Sequence, residues 1–260
     1  MQGCVGKTLL SIPRTHGNLI TAVILAIGVL ITIGRFGFGI GAVTNLDDNN
    51  PWGIWIAFYI NITCGLALIS QEKDILHDVL KAFPQYAGLS PAKFAAAIAG
   101  IIGLVLAVDS VFNTAGRVGF STLSDHLKRR ETVYQVIFVI SIAVCLLQVC
   151  TNSIDRALLW AVLMMLFLVN AGYGGGFSTL PVLLDQHFGT KTVSTTHGLT
   201  LSAWAFAGLS GNQLASFVVT HTPDQAHRYA ALIPVLIVLF IIALISISLV
   251  KAAGKRVAVA

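Results

Sequence analysis

Charged side chains are scarce in this chain, since Asp, Glu, Lys and Arg together make up 10% of its 260 residues. A soluble domain carries charge on about a quarter of its residues, and the mean hydropathy here is +0.83. This composition excludes an ordinary soluble domain and predicts a polytopic membrane protein. Because lipid offers no partner to an unpaired backbone amide, we expect an all-α helix bundle.

Residues that build metal, haem or catalytic sites are also few and scattered. The four cysteines show no C-x-x-C spacing, and no two of the seven histidines are placed to face each other across a membrane as a bis-histidyl haem requires. The glycine run "GYGGGFS" lacks the Lys-Ser/Thr of a phosphate-binding loop. We therefore expect no catalytic residues, no metal, no cofactor and no enzymatic activity.

The basic balance of the chain does not indicate a nucleic-acid partner. The net charge is +5 and the isoelectric point is about 9.2, but the basic residues lie in short loops and a tail beside apolar runs. Positive charge at such positions orients membrane segments. The expected partner is the lipid bilayer.

Long apolar runs divide the chain into about seven candidate transmembrane helices, since each crossing needs about 20 apolar residues. The segments are 18–40, 52–70, 94–115, 133–150, 156–177, 194–219 and 229–250. Whether 18–40 spans fully is left open, because it contains several glycines and Arg35. The bundle is therefore expected to have six to seven helices.

Clusters of basic residues predict the orientation of the chain. They follow the segments 94–115 and 229–250, at Arg117, Lys128, Arg129, Arg130, Lys251, Lys255 and Arg256. The positive-inside rule places both regions in the cytoplasm, which predicts a multi-pass inner-membrane protein with a cytoplasmic C-terminus. Segment 18–40 does not fit the positive-inside rule in this orientation, because Lys7 and Arg14 then lie on the outer side.

The stretch "NTAGRVGFSTLSDHLKRRE", residues 113–131, reads as a glycine-rich basic turn between two helices. A solvated loop that only sets orientation is one interpretation. The sequence of this stretch also resembles the cytoplasmic loop between helices 8 and 9 of major facilitator superfamily transporters. That loop helps to stabilise one of the two states of alternating access. The resemblance implies a gating loop with six residues, namely Gly116, Arg117, Ser124, Asp125, Arg129 and Arg130.

Residues 170–219, "NAGYGGGFSTLPVLLDQHFGTKTVSTTHGLTLSAWAFAGLSGNQLASFVV", resemble helix 10, its loop and helix 11 of the oxalate/formate antiporter family in that superfamily. "YINITCGLALIS", residues 59–70, is similar to helix 7. The resemblance covers about 59–250 and implies a domain over 59–260 that is the C-terminal six-helix half of a transporter. It further implies transport of a small carboxylate by alternating access, with a homodimer or a partner half-transporter supplying the second half.

Segment 194–219 departs from that pattern, because it has no Lys or Arg in its apolar interior. The family's oxalate carriers place a base there for a dianion, so a monocarboxylate is the expected substrate. Asp109 is the leading cavity residue, since an ionisable group inside an apolar span faces a cavity or a partner. Further candidates for the same cavity, each with simple packing as the alternative, are Asn113, Tyr173, Trp204, Asn212 and Gln213.

The first part of the chain resembles a different family. "ITIGRFGFGIGAVTNLDDNNPWGIWIAF", residues 31–58, is similar to the first helix, loop and second-helix start of the NrfD/polysulfide-reductase-type membrane subunit, and the match extends over about 12–58. We therefore expect a domain over 1–58 joined to the transporter half near Phe58. Two alternatives follow, a quinol-interacting membrane anchor subunit of a redox complex and a non-functional gene-fusion remnant.

Overall fold

The computed structural model describes residues 51–151, 156–222 and 229–250, and these residues form helices and their connections without any strand. Segment 18–40 and most of the predicted domain 1–58 lie outside the described residues. The helices are α1 (Pro51–Lys81), α2 (Pro91–His126), α3 (Glu131–Cys150), α4 (Arg156–Phe188), α5 (Val193–Thr200), α6 (Ser202–His221) and α7 (Leu232–Ser248), with a short 3-10 turn at Pro84–Tyr86. The predicted all-α architecture is confirmed.

Four of the described helices, α1 to α4, are long and apolar enough to cross a membrane. Helix α7 is strongly apolar but has 17 residues. Helix α6 has 20 residues and is less apolar than α7, and it contains the polar residues Asn212 and Gln213. By length and composition, the described part of the chain is a membrane-embedded helix bundle.

Several helix boundaries differ from the sequence prediction, since α1 continues beyond residue 70 to Lys81 and α4 continues beyond residue 177 to Phe188. Helix α2 continues to His126, so the turn predicted over 113–131 is wrong for most of its length, and only residues 127–130 connect α2 to α3. Gly116 packs against the Ala171 backbone within the helix instead of forming a turn, whereas Gly119 has open space around it. Segment 194–219 divides into α5 and α6 at Leu201, whose backbone keeps right-handed helical angles.

Helix α4 lies at the centre of the bundle, where it packs on α1, α2 and α3, while α1 also contacts α6 and α7. Its glycine run permits these contacts. A Cβ on Gly174 would overlap the carbonyl oxygen of Asn113 in α2, and a Cβ on Gly175 would overlap the Phe120 ring. From the other side, a Cβ on Gly116 would overlap the Ala171 backbone. The backbones of α2 and α4 therefore approach each other at a seam of glycines, as small residues allow in membranes.

Gly116→Ala tests this seam, with Gly119→Ala as the matched control on the same helix. We expect Gly116→Ala to destabilise the bundle by about 1–3 kcal/mol, because the new methyl group pushes α2 away from α4. Gly119 has open space around it, so its substitution should change stability by no more than about 1 kcal/mol. Thermal unfolding of the full chain in mild detergent measures both effects. Equal melting temperatures would contradict the claim that close packing at Gly116 stabilises the bundle.

Candidate functional site

Asp109 lies inside α2 and is 4% exposed. One of its carboxylate oxygens, Oδ2, accepts a hydrogen bond from the Asn170 amide of α4. The other oxygen, Oδ1, has no hydrogen-bond partner among the described residues. An acid buried in an apolar helix is costly unless it is paired or protonated. One of the two oxygens of this carboxyl group lacks such a partner among the described residues.

The Asn170 amide continues a chain of hydrogen bonds along the seam. Its Oδ1 accepts from Nδ2 of Asn113 at 2.9 Å, and Oδ1 of Asn113 accepts from Nε of Arg117 at 3.2 Å. Asp109, Asn113 and Arg117 are spaced by four residues and therefore share one face of α2. We call Asn170 and Asn113 the amide relay, because the two side chains connect a buried acid to an exposed base.

Arg117 was expected in a cytoplasmic gating loop, and the structure places it within α2 instead. Its backbone carbonyl accepts a hydrogen bond of 2.9 Å from Ser178 of α4. Its guanidinium carbon lies 5.6 Å from the centre of the Phe177 ring, a cation–π arrangement. Arg117 therefore belongs with the predicted cavity residues and not with the loop.

Two of the predicted cavity residues, Tyr173 and Trp204, join Arg117 through Phe177. The Phe177 ring meets Tyr173 edge-on at 5.3 Å and Trp204 edge-on at 5.7 Å. Trp204 remains 49% exposed. We call Arg117, Tyr173, Phe177 and Trp204 the cation–aromatic cluster.

The remaining predicted cavity residues, Asn212 and Gln213, are exposed on α6 about two turns beyond Trp204. They are not brought into the cluster. Sequence reasoning missed Asn170 and Phe177, which connect the others. Asn170 carried a signal, since it is an uncharged polar side chain inside the apolar segment 156–177, whereas nothing distinguished Phe177 from a packing residue.

Helix α6 is held to α1 by a separate row of hydrogen bonds. The Trp55 indole donates to Ser202 at 3.1 Å, and the Tyr59 hydroxyl donates to Ser210 at 2.9 Å. On the other side of α1, the Asn61 amide donates to the Gly172 carbonyl at 3.3 Å. Helix α1 thereby connects α6 to α4 next to the cation–aromatic cluster.

Four of the predicted gating-loop residues meet at the connection between α2 and α3. Nη1 of Arg130 donates to Oγ of Ser124 at 2.9 Å and to Oδ1 of Asp125 at 3.1 Å. Arg129 lies 3.7 Å from the buried Glu131 carboxylate, and Glu131 in turn lies 3.4 Å from Nε2 of the buried His187. Hydrogen bonds and ion pairs therefore connect residues 127–130 to the ends of the three helices α2, α3 and α4.

Gln186 of α4 also holds these residues in place, and sequence reasoning missed it as a functional candidate. Its Oε1 accepts from the Arg130 backbone at 3.0 Å, and its Nε2 donates to the Lys128 carbonyl at 2.8 Å. A side chain with one acceptor and one donor is what such a double contact needs. An ionised aspartate at this position could not donate the second bond.

The fold and this polar interior define an all-α membrane-embedded helix bundle. No protein-family model matches the chain. A protein of Nitratidesulfovibrio vulgaris strain Hildenborough, described only as "Protein", is 61% identical over 54 residues, which is 21% of this chain and 13% of that protein. The probable Ni/Fe-hydrogenase 2 b-type cytochrome subunit of Escherichia coli K12 is 41% identical over 44 residues, 17% of this chain and 11% of that subunit. Both matches therefore cover a small part of each relative.

Gln186→Leu tests the fastening of residues 127–130, with Gln135→Leu as the control. Gln135 makes its hydrogen bond to Ser248 instead. We expect trypsin to cut after Lys128, Arg129 or Arg130 about 5- to 100-fold faster in the Gln186 variant, because two hydrogen bonds contribute about 1–3 kcal/mol against local opening. Cleavage is followed on the full chain in mild detergent, and equal rates in the two variants would contradict the role of Gln186.

Proposed function

We propose that this chain is the C-terminal six-helix half of a major facilitator-type transporter that carries a small monocarboxylate by alternating access. In this proposal it lies in the inner membrane with its C-terminus in the cytoplasm. The observation that carries the proposal is the exposed guanidinium of Arg117 beside the aromatic rings of α4 and α6.

The charge of Arg117 lacks a counter-ion among the described residues. None of the ion pairs there includes it, and its side-chain partners are the neutral Asn113 amide and the face of Phe177. A charge held in a largely apolar helix is unfavourable unless an opposite charge joins it. A carboxylate is the geometric match, because guanidinium donors form a planar fork that binds two carboxylate oxygens.

The size of the charge favours a monocarboxylate. One guanidinium balances one negative charge, and segment 194–219 supplies no second base. The rings of Tyr173, Phe177 and Trp204 offer apolar faces to the remainder of a small organic acid. The substrate class that the cluster supports is therefore a small carboxylic acid with a short apolar body.

A second half is required by this proposal. Transporters of this type bind substrate between two repeats, and the cation–aromatic cluster forms only one wall. Helix α2 leaves most of its surface uncovered, with Leu104, Val111 and Val118 each about two-thirds exposed. A homodimer or a separate half-transporter would supply the opposite wall.

Arg117→Gln and Arg117→Lys test the anion site, with Lys191→Gln, an exposed residue at the start of the α5 connection, as the control. We expect Arg117→Gln to weaken carboxylate binding about 10- to 100-fold, because a charge-assisted hydrogen bond contributes about 1.5–3 kcal/mol. Arg117→Lys should recover only part of this, since an ammonium group cannot form the fork. Counterflow of radiolabelled formate and acetate in liposomes containing the full chain measures the effect.

Counterflow in the wild-type chain that equals empty liposomes would overturn transport by a homodimer, and the absence of a co-purifying half-transporter as well would overturn the transport proposal. The stoichiometry of the tagged chain in mild detergent then separates the remaining explanations. A stable dimer without counterflow argues for another function, whereas rapid loss or heterogeneous aggregation supports the non-functional gene-fusion remnant.

We propose a quinol-interacting membrane anchor subunit as the second candidate. The similarity to a hydrogenase b-type cytochrome subunit over 44 residues supports it, as does the resemblance of residues 12–58 to the NrfD-type subunit. On this proposal the chain co-purifies with an iron–sulfur protein, and Arg35→Ala or Asp47→Asn abolishes its quinol-linked activity. Recovery of the tagged chain without any iron-containing partner argues against it.

A further inference from the structure

A cavity of about 350 Å³ lies at the end of the bundle opposite to residues 127–130. Helices α1 and α3 end there, α4 and α7 begin there, and all four contribute to the wall. Its volume is that of a small ligand site. The cation–aromatic cluster lies elsewhere, because Val162 in the cavity wall and Phe177 are about 22 Å apart along α4. The cavity is therefore a second site, and it does not depend on the proposed transport.

The wall of this cavity changes from apolar to polar toward the ends of the helices. Its floor consists of aliphatic side chains that are at most 5% exposed, namely Ile75, Val162 and Ile233. Its mouth carries the polar side chains of Asp78, Gln148, Thr151 and Tyr229. Asp78 lies one turn beyond Ile75, and Tyr229 lies one turn before Ile233. An amphiphilic molecule with its head at the mouth and a chain on the floor matches this arrangement.

The position of the cavity also favours a lipid. Tyr229 lines the mouth, and Trp160 of α4, two residues from the wall residue Val162, is 65% exposed. Tyr and Trp are enriched where lipid headgroups meet the hydrocarbon core, so the mouth lies near that depth. Val149 lines the cavity and is 43% exposed on the outside of the bundle. A lipid chain can therefore enter between the helices from the side.

The charges around the mouth complement a zwitterionic headgroup. Asp78 contributes a carboxylate, and its ion pair within the described part of the chain is with the adjacent His77, at 3.4 Å, which is charged only when protonated. Lys81 follows Asp78 by three residues, and Arg156 precedes the wall residue Leu158 by two. Both bases are exposed, and neither forms an ion pair with another described residue. An ammonium group matches the acid, and a phosphate matches the bases.

We propose that this cavity binds a phospholipid with a primary ammonium headgroup, namely phosphatidylethanolamine, with the ammonium at Asp78 and part of an acyl chain on the apolar floor. The phosphate then lies toward Lys81 and Arg156. Phosphatidylglycerol offers Asp78 no cation. Phosphatidylcholine offers a positive charge, but its trimethylated nitrogen has no hydrogen to donate to the carboxylate. The expected order of affinity is phosphatidylethanolamine, then phosphatidylcholine, then phosphatidylglycerol.

Lipid binding to the delipidated full chain in mild detergent, measured by native mass spectrometry, tests the contact with Asp78. We expect Asp78→Asn to weaken phosphatidylethanolamine binding about 3- to 10-fold without weakening phosphatidylglycerol binding. A charge-assisted hydrogen bond is lost, and its contribution is reduced because the Asp78 side chain is 30% exposed. Asp74→Asn, an exposed acid one turn earlier that does not line the cavity, should bind as the wild type does. An unchanged preference for phosphatidylethanolamine in Asp78→Asn would overturn the proposal.

Ala82→Trp and Ala230→Trp test whether the lipid occupies the cavity. Both residues line the mouth and are exposed, so an indole can enter the cavity without disturbing the core. A lipid that binds the folded bundle also raises its melting temperature. We expect both variants to lose phosphatidylethanolamine binding and this rise in melting temperature, whereas Ala87→Trp, exposed outside the cavity, keeps them. Full binding by both mouth variants would show that the lipid binds elsewhere and would overturn the proposal.

Dodecylamine distinguishes a phospholipid from a free amphiphilic amine, because it carries the ammonium group without the phosphate. We expect it to bind more weakly than phosphatidylethanolamine. Arg156→Gln should weaken the phospholipid about 3- to 10-fold and leave dodecylamine unchanged, since only the phospholipid has a phosphate for the guanidinium. Dodecylamine that binds as tightly as phosphatidylethanolamine, with both indifferent to Arg156→Gln, would overturn a phospholipid as the occupant.

Discussion

The close approach of α2 and α4 is the constraint on which the site depends. Asn113 and Asn170 have short side chains, so their 2.9 Å hydrogen bond forms only where the two helix backbones nearly touch. Gly174 lies directly against the Asn113 carbonyl, and Gly116 lies against Ala171. The glycines that let the two backbones approach each other are thus immediate neighbours of the residues that connect Asp109 to Arg117. A larger side chain at Gly116 or Gly174 would push the two helices apart and with them Asn113 and Asn170.

The apolar environment increases the free energy that each hydrogen bond at this seam contributes. In water, a hydrogen bond between two amides contributes little, because solvent replaces it. Inside a helix bundle in lipid, an amide without a partner costs several kcal/mol, so the hydrogen bonds of Asn170 and Asn113 to each other and to Asp109 and Arg117 hold α2 and α4 together.

The fold class was predictable from composition, since a chain with 10% charged residues and long apolar runs has few alternatives to a helix bundle in lipid. Asp109 was identifiable for the same reason, as an ionisable group in an apolar segment. The assignment of Arg117 to a loop failed because glycine next to a base suggests a turn. Here Gly116 stays helical because of its contact with Ala171, and that contact exists only in three dimensions. Phe177 was not identifiable at all, because its role comes from the ring faces that it turns toward Arg117 and Trp204.

Helix α1 runs without interruption through position 58, where the two resemblances meet. Residues on both sides of that position pack in the same bundle. Phe58 contacts Phe177 edge-on at 5.2 Å, Trp55 bonds Ser202 and Tyr59 bonds Ser210. A membrane helix satisfies its own backbone, so its requirements on neighbours are an apolar surface of suitable shape and partners for a few polar atoms. Residues 52–58 meet both requirements with aromatic and aliphatic side chains. Residues 52–58 therefore fit the bundle as the rest of α1 does, and α1 supports the cation–aromatic cluster along its length.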